Sequence, residues 1–227
     1  MMSEPTDMKI ETTEDGPFLA HNVTVRDADY VRAADGAPMT WSFGDALDVD
    51  GDTASLCRCG QSSNKPFCDG SHADADWDPS DAEQSGQSYE ARARRKESPK
   101  EGYAMLDDTP LCMHAGLCGT AKQTVWQMLP STDDPEVRGQ VIRMVEKCPS
   151  GRLSNVIDGS ISEPALPAEV NVIPGGPLWV TGGITVTNAA GEQIETRNRV
   201  TLCRCGASGN KPFCDGTHKD IEFEGMS

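Results

Sequence analysis

The feature that most constrains this chain is a sixteen-residue segment that occurs twice. Residues 57–72 read CRCGQSSNKPFCDGSH and residues 203–218 read CRCGASGNKPFCDGTH, aligned without a gap and identical at thirteen positions. Self-similarity of this length signals two copies of one structural unit. The likeness continues outward. Leu56 matches Leu202, and an aromatic follows each histidine by five positions, Trp77 in one copy and Phe223 in the other. Upstream, Gly16-Pro17-Phe18-Leu19-Ala20 precedes Asn22-Val23-Thr24-Val25, as Gly176-Pro177-Leu178-Trp179-Val180 precedes Gly183-Ile184-Thr185-Val186. Apolar, β-branched runs after a Gly-Pro turn predict strands. The first copy has 14 more residues between strand and motif, and these are expected to form an acidic loop around Asp45 to Asp52.

Each copy presents the spacing C-x-C-x8-C-x3-H. Soft thiolates favour zinc, copper(I) or iron–sulfur clusters, and imidazole suits several of the same metals. Structural zinc also takes Cys3His sets, so it remains the alternative at this stage. The spacing speaks for a cluster: C-x-C lays Cys57 and Cys59 along an extended segment, where zinc knuckles usually fold a C-x2-C tightly around one ion. Cys68 and His72, four apart, can share one face of a helical turn and take the second iron. Asp69 then falls in the first turn, where the helix dipole favours an acid, and Gly70 allows close backbone approach. Pro66 fixes the approach, and Phe67 can shield the group. Arg58 and Arg204, with Lys65 and Lys211, are either donors to the bound group or solvated charges.

The run Cys68-Asp69-Gly70-Ser71-His72 resembles the signature of the CDGSH (NEET) iron–sulfur family, and Cys214-Asp215-Gly216-Thr217-His218 is similar to its threonine variant. The resemblance covers about residues 16–77 and 175–225. It implies a 2Fe–2S cluster held by Cys57, Cys59, Cys68 and His72, and a second held by Cys203, Cys205, Cys214 and His218. It also implies small β-rich units that pair, here as an internal pseudo-dimer, and no ligand position departs from the pattern.

Between the copies lies a different unit. Ser80 to Glu101 is polar, with a basic patch at Arg92, Arg94, Arg95 and Lys96, and reads as a linker. Asp133-Asp134-Pro135 predicts a helix start, an acidic cap with proline in the first turn. Val137, Val141, Met144, Val145 and Cys148 follow at i, i+4, i+7, i+8 and i+11, and Pro149 stops the helix. The remaining cysteines, Cys112, Cys118 and Cys148, sit in C-x-H-x-G-x-C and Cys148-Pro149-Ser150-Gly151. Over about residues 103–158 this pattern resembles the divergent single-cluster ferredoxins often described as 4Fe–4S. That resemblance implies a third cluster of 4Fe–4S, 3Fe–4S or 2Fe–2S type, with His114 either its fourth ligand or a hydrogen-bond donor; buried structural thiols or adventitious zinc are the alternative. The expected organisation is α+β, with a CDGSH unit at 1–79, a linker at 80–102, a small α/β ferredoxin-like unit at 103–160 and a second CDGSH unit at 161–227.

Composition sets the outer limits. Nine cysteines are an odd number, so they cannot all pair within the chain. Met1 to Asp15 carries five acids and one lysine with no apolar core, unlike an export or transit segment, so metal binding in the cytosol is the expected use of the thiols. No apolar run approaches the ~20 residues that span a bilayer. Residues 1–90 hold 19 acids and 5 bases, against 17 and 15 in residues 91–227. Such a surface repels nucleic acid and anionic membranes and favours a redox partner, or an apo iron–sulfur acceptor, with a basic face. His21, with no thiol nearby in sequence, is expected to be structural. No Ser/His/Asp arrangement, Walker loop or dinucleotide fingerprint occurs, so the chain is expected to be a carrier and not an enzyme. One imidazole among thiolates should raise the cluster potential above that of all-cysteine ferredoxins and make the site sensitive to acid. Replacing both His72 and His218 with cysteine should therefore abolish acid-triggered bleaching of visible absorbance between about pH 5 and 7; unchanged bleaching would refute the histidine mechanism.

Overall fold

The computed structural model describes residues 8–83 and 86–225, so the readings made on residues 1–7 lie outside it. The chain is mostly β, with three sheets and short helices in a small α/β region around residues 89–157. The first copy supplies β1 (Lys9–Thr12), β2 (Phe18–His21), β3 (Thr24–Arg32), β4 (Pro38–Ala46) and β5 (Thr53–Leu56). The middle supplies α1 (Tyr89–Arg92), β6 (Arg94–Glu97), β7 (Tyr103–Asp107), α2 (Val125–Met128), α3 (Pro135–Glu146), β8 (Leu153–Ile157) and β9 (Ser160–Ser162). The second copy supplies β10 (Glu169–Val172), β11 (Leu178–Thr181), β12 (Thr185–Thr187) and β13 (Arg199–Leu202).

The two copies exchange strands. One sheet runs β12-β1-β2-β5 and the other β13-β11-β10-β3-β4. Each therefore takes three strands from its own copy and pairs in parallel with the third strand of the other, Ile10 opposite Val186 and Val170 opposite Val25; in the five-stranded sheet β4 comes along as the hairpin partner of β3. The loops after β5 and β13 also meet. A Cβ on Gly60 would stand 2.5 Å from the Cys205 carbonyl oxygen, and one on Gly206 2.5 Å from that of Cys59. Both glycines have positive φ, +81° and +78°, so the approach is open to glycine alone.

The extra length of the first copy is an acidic loop only in part: residues 47–52, with Asp48, Asp50 and Asp52, form that loop, while most of the length forms the β3–β4 hairpin, to which Asp45 belongs. Ala28 and Trp41 turn inward from that hairpin, while Asp29 and Asp45 face outward. The expected linker also contains structure: α1 and β6 lie within residues 80–102, and β6 forms the edge of the third sheet, β6-β7-β8-β9. Residues 84–85 are outside the described part.

α3 begins as its sequence predicts, with the Asp134 carboxylate accepting from Glu136 N at 2.8 Å and Pro135 in the first turn. At its other end the buried Arg199 guanidinium donates to the Glu146, Val145 and Leu153 carbonyls, a cation placed where the helix dipole favours it. Trp41 Nε1 donates to the Lys147 carbonyl at 3.0 Å. The middle unit is thus clamped by the second copy on one side and the first copy's hairpin on the other. The result is unequal cover. In β1, β2 and β5 burial alternates, whereas every residue of β10, β11 and β13 is buried. Among the described residues no helix is long and apolar enough to cross a membrane.

Gly36 provides a control for the close approach at Gly60 and Gly206, having φ +84° but open space around it. Gly36→Ala should cost about 1 kcal/mol for the left-handed backbone alone. Gly60→Ala or Gly206→Ala should cost roughly 2–4 kcal/mol, because the carbonyl collision adds to that strain. Thermal denaturation of the three variants reads the difference directly.

Candidate metal centres

In both copies the donors stand as two close pairs. Cys57 Sγ lies 4.0 Å from Cys59 Sγ, and Cys203 Sγ lies 3.8 Å from Cys205 Sγ. Cys68 Sγ is 3.3 Å from His72 Nδ1, and Cys214 Sγ is 3.3 Å from His218 Nδ1. The strand ends hold the pairs in place. Cys57 N donates to Pro66 O and Cys68 N to Ser55 O, each at 2.8 Å, and the second copy repeats both bonds between Cys203 and Pro212 and between Cys214 and Thr201. Among the described residues no three Cys, His, Asp or Glu side chains converge as a single metal ion would need.

The helical turn expected to carry Cys68 and His72 together is a 3-10 turn, Ser71–Ala73, entered through left-handed Gly70. Cys68 and Asp69 precede it. Asp69 is therefore a clasp for the loop: its carboxylate accepts from Ser71 Oγ, Ser71 N and Ser63 N, and these donors hold it far below the usual carboxylate range. Asp215 repeats the clasp with Thr217 and Gly209; burial opposes its charge, but the donors prevail. Backbone N–H groups of Gln61 and Gly70 reach Cys59 and Cys68 sulfur at 3.4 Å.

The basic residues of the motif are neither solvated nor aimed at the donors as expected. Arg58 is 1% exposed and donates to the carbonyls of Gly16, Pro79, Thr13 and Glu14. Arg204 is fully buried and donates to Gly176, Ile173 and Gly225. Lys65 and Lys211 close their own loops onto the Ser62 and Ser208 carbonyls. Trp77 and Phe223, the aromatics five residues past each histidine, lie under Arg58 and Arg204 respectively. Burial pushes Arg204 down to about 10 while the thiolates of Cys57 and Cys205 draw it back up. Its charge thus stands near cysteines of both copies.

Burial also raises the Cys59 and Cys214 thiols. Within the Cys203–Cys205 pair, the hydrogen bond between the sulfurs holds Cys203 low, at about 6, and drives Cys205 up. Metal loading must therefore displace protons from these thiols.

The two sites differ in cover. Cys68 and His72 are partly exposed, whereas Cys214 and His218 are 2% and 4% exposed. Nothing stands within 4 Å of a Cβ position on Gly70, but the same position on Gly216 meets His114 and the Cys112 carbonyl.

Cys112, Cys118 and Cys148 come together around one cavity of about 260 Å³, with His114 also on its wall. Three further lining residues were missed in the sequence. Arg152 pairs with Asp107 at 2.7 Å; burial works against its charge, but Asp107 and Cys112 together hold it above its ordinary value. Trp126 stacks near that guanidinium and donates to Asp107 at 2.9 Å, and Ser150 Oγ lies 3.7 Å from Cys148 Sγ. The position of Arg152, four residues past Cys148, was the available signal. Burial, with Cys148 and Cys112 nearby, pushes the Cys118 thiol up to about 11. His114 is exposed on its outer side and adopts a left-handed backbone, φ 59°. His21, at the end of β2, bonds Thr53 and Glu11, a structural role.

Burial, reinforced by Lys219 and His114, lowers His218 from the usual 6.5 to about 4. Its neutral form, the one that binds metal, therefore contributes stability that is complete above 6.5 and lost as pH falls through 4. Acid titration of the loaded protein should bleach in two steps, the partly exposed N-terminal site first and the buried His218 site at lower pH. His218→Cys should delete the second step only; a single shared transition in the native chain would contradict the difference in cover.

Comparison with protein families agrees with the geometry. The family described as iron-binding zinc finger, CDGSH type, matches residues 15–73 and 175–219, and the family described as divergent 4Fe-4S mono-cluster matches residues 101–158. No curated protein and no solved structure matches the chain. CDGSH domains typically bind 2Fe–2S clusters, and the Cys3His donor sets found in both copies suit that group. The chain accordingly carries two CDGSH segments with a divergent 4Fe-4S mono-cluster domain between them.

Proposed function

We propose that this chain is a one-electron or 2Fe–2S carrier with three centres: Cys57, Cys59, Cys68 and His72; Cys203, Cys205, Cys214 and His218; and a third cluster on Cys112, Cys118 and Cys148. The reading rests above all on the donor pairing in both copies. Two pairs suit two irons, whereas a zinc ion would need all four donors around one point. Strand exchange supports treating the two copies as an internal pseudo-dimer. The clusters, when bound, supply reversible one-electron chemistry.

This chain's own residues do the rest. The Asp69 and Asp215 clasps hold the histidine turns against the cysteine loops. Arg58 and Arg204 bring positive charge beside the thiolates without occupying a coordination position. The partly exposed Cys68 and His72 make the N-terminal site the natural face for exchange with a partner, and the excess of acids in residues 1–90 favours a partner with a basic surface. In the middle unit, Arg152 offsets the charge of Cys112, and the ring of Trp126 shields that side of the cavity.

The test is an assay of iron, acid-labile sulfide and zinc on anaerobically purified protein. The expected content is about eight iron and eight sulfide per chain, with about four of each lost in Cys148→Ser and about two of each in Cys57→Ser. Zinc in place of iron, without sulfide or visible absorbance, would overturn the carrier reading.

A further inference from the structure

The middle unit touches one CDGSH site and not the other. The His114 side chain and the Cys112 carbonyl lie against Gly216, with His114 Nε2 3.1 Å and Cys112 O 3.0 Å from where a Cβ would stand, while Gly70, the counterpart of Gly216, is open. Two hydrogen bonds fasten this contact: Lys219 Nζ donates to the His114 carbonyl, and Asn210 Nδ2 donates to the Pro110 carbonyl at 3.2 Å. Beneath it, Met113 and Leu117 share a dry apolar cluster with Cys214. His114 also lines two cavities, one carrying the three middle cysteines and one bordered by His218. The N-terminal site is joined to this assembly through the second copy, at the Gly60–Cys205 and Gly206–Cys59 approaches.

We propose that the three centres form a linear wire in which the C-terminal CDGSH site is the central station, with the Cys112–His114 segment on Gly216–His218 as the contact through which one electron passes between the middle unit and that site. The proposal rests on the reading that all three sites hold clusters. The step is an outer-sphere transfer: one centre is oxidised by one electron, the other is reduced by one, and no bond or proton moves. Packing supplies the coupling. Met113 and Leu117, packed with Cys214 in one buried cluster, give a continuous path of covalent and van der Waals contact from the middle unit to the C-terminal site. The N-terminal site exchanges electrons with the middle unit only by way of the C-terminal one, and its solvent-facing histidine makes it the port to external partners.

Electron paramagnetic resonance on the full chain, reduced with excess dithionite, tests the order of the centres. Spin relaxation of the middle-unit signal should be fast in the native chain and in Cys68→Ser, whose N-terminal site is emptied. In Cys214→Ser the same signal should saturate at severalfold lower microwave power. If that variant does not fold, His218→Ala empties the same site and gives the same comparison. Relaxation unaffected by emptying the C-terminal site, or equally affected by emptying the N-terminal one, would overturn the wire. Absence of any middle-unit signal, with iron and sulfide accounted for by the CDGSH sites, would instead show that the three-cluster reading has failed and the wire with it.

Discussion

Two backbone segments cross so closely at Gly60–Cys205 and Gly206–Cys59 that no side chain fits between them. The arrangement of both CDGSH sites follows from this crossing. Contact of backbone with backbone has no rotamers to adjust, so the two Cys-x-Cys loops are fixed back to back. Strand exchange reinforces them, because neither sheet is complete without the other copy's third strand. Arg58 and Arg204 sit beside the crossing, each within electrostatic reach of the other copy's thiols. Left unpaired, charges buried so deeply would be costly. Backbone carbonyls of the turns after β1 and β10 satisfy them, so the same guanidiniums that place charge near the donors also lock the loops.

A symmetric pair with one added unit becomes chemically asymmetric. The middle unit and the β3–β4 hairpin cover the second copy on both faces and leave one face of the first copy to solvent. Reduction of a cluster held there would add negative charge, and desolvation would oppose that charge as it opposes ionisation of the Cys214 thiol. The N-terminal site, wetter at Cys68 and His72, feels less of this effect. Identical ligand sets in one chain thus acquire different working conditions from cover alone, with no change of ligand.

The sequence was most informative where chemistry is local. The Asp134-Pro135 start of α3 and the Gly-Pro turns act within a few residues, and the structure has them where they were read. Strand exchange joins Thr24 to Glu169 and Lys9 to Thr185, pairings with no local trace. The β3–β4 hairpin was hidden because Asp27, Asp29, Asp35 and Asp45 dilute its apolar alternation, and its pairing is supplied by β10. β6, reading Arg94-Arg95-Lys96-Glu97, carries no apolar residue at all and is held as an edge strand by its ladder with β7. For Arg58 and Arg204 the sequence left open donation to the bound group or exposure to solvent, because only tertiary structure brings in the carbonyls that permit burial.

The placement of the middle unit has a topological cause. Parallel strand pairs cannot be closed by a hairpin and need a long crossover. The chain must travel from β3 in the first copy to β10 in the second before that parallel pair can form, so a folded unit inserted along the way does not interrupt the exchange. Once there, the unit needs docking groups at the point of return. Arg199 on β13 takes the open carbonyls of α3, Arg197 takes the Gly151 carbonyl at 2.7 Å, and Trp41 on the hairpin takes Lys147. These bonds bring the Cys112–Cys118 loop down on the copy whose strand follows the insertion in sequence. The unit therefore lies against Gly216 and leaves Gly70 open, so the segment that is central in sequence does not stand between the two copies.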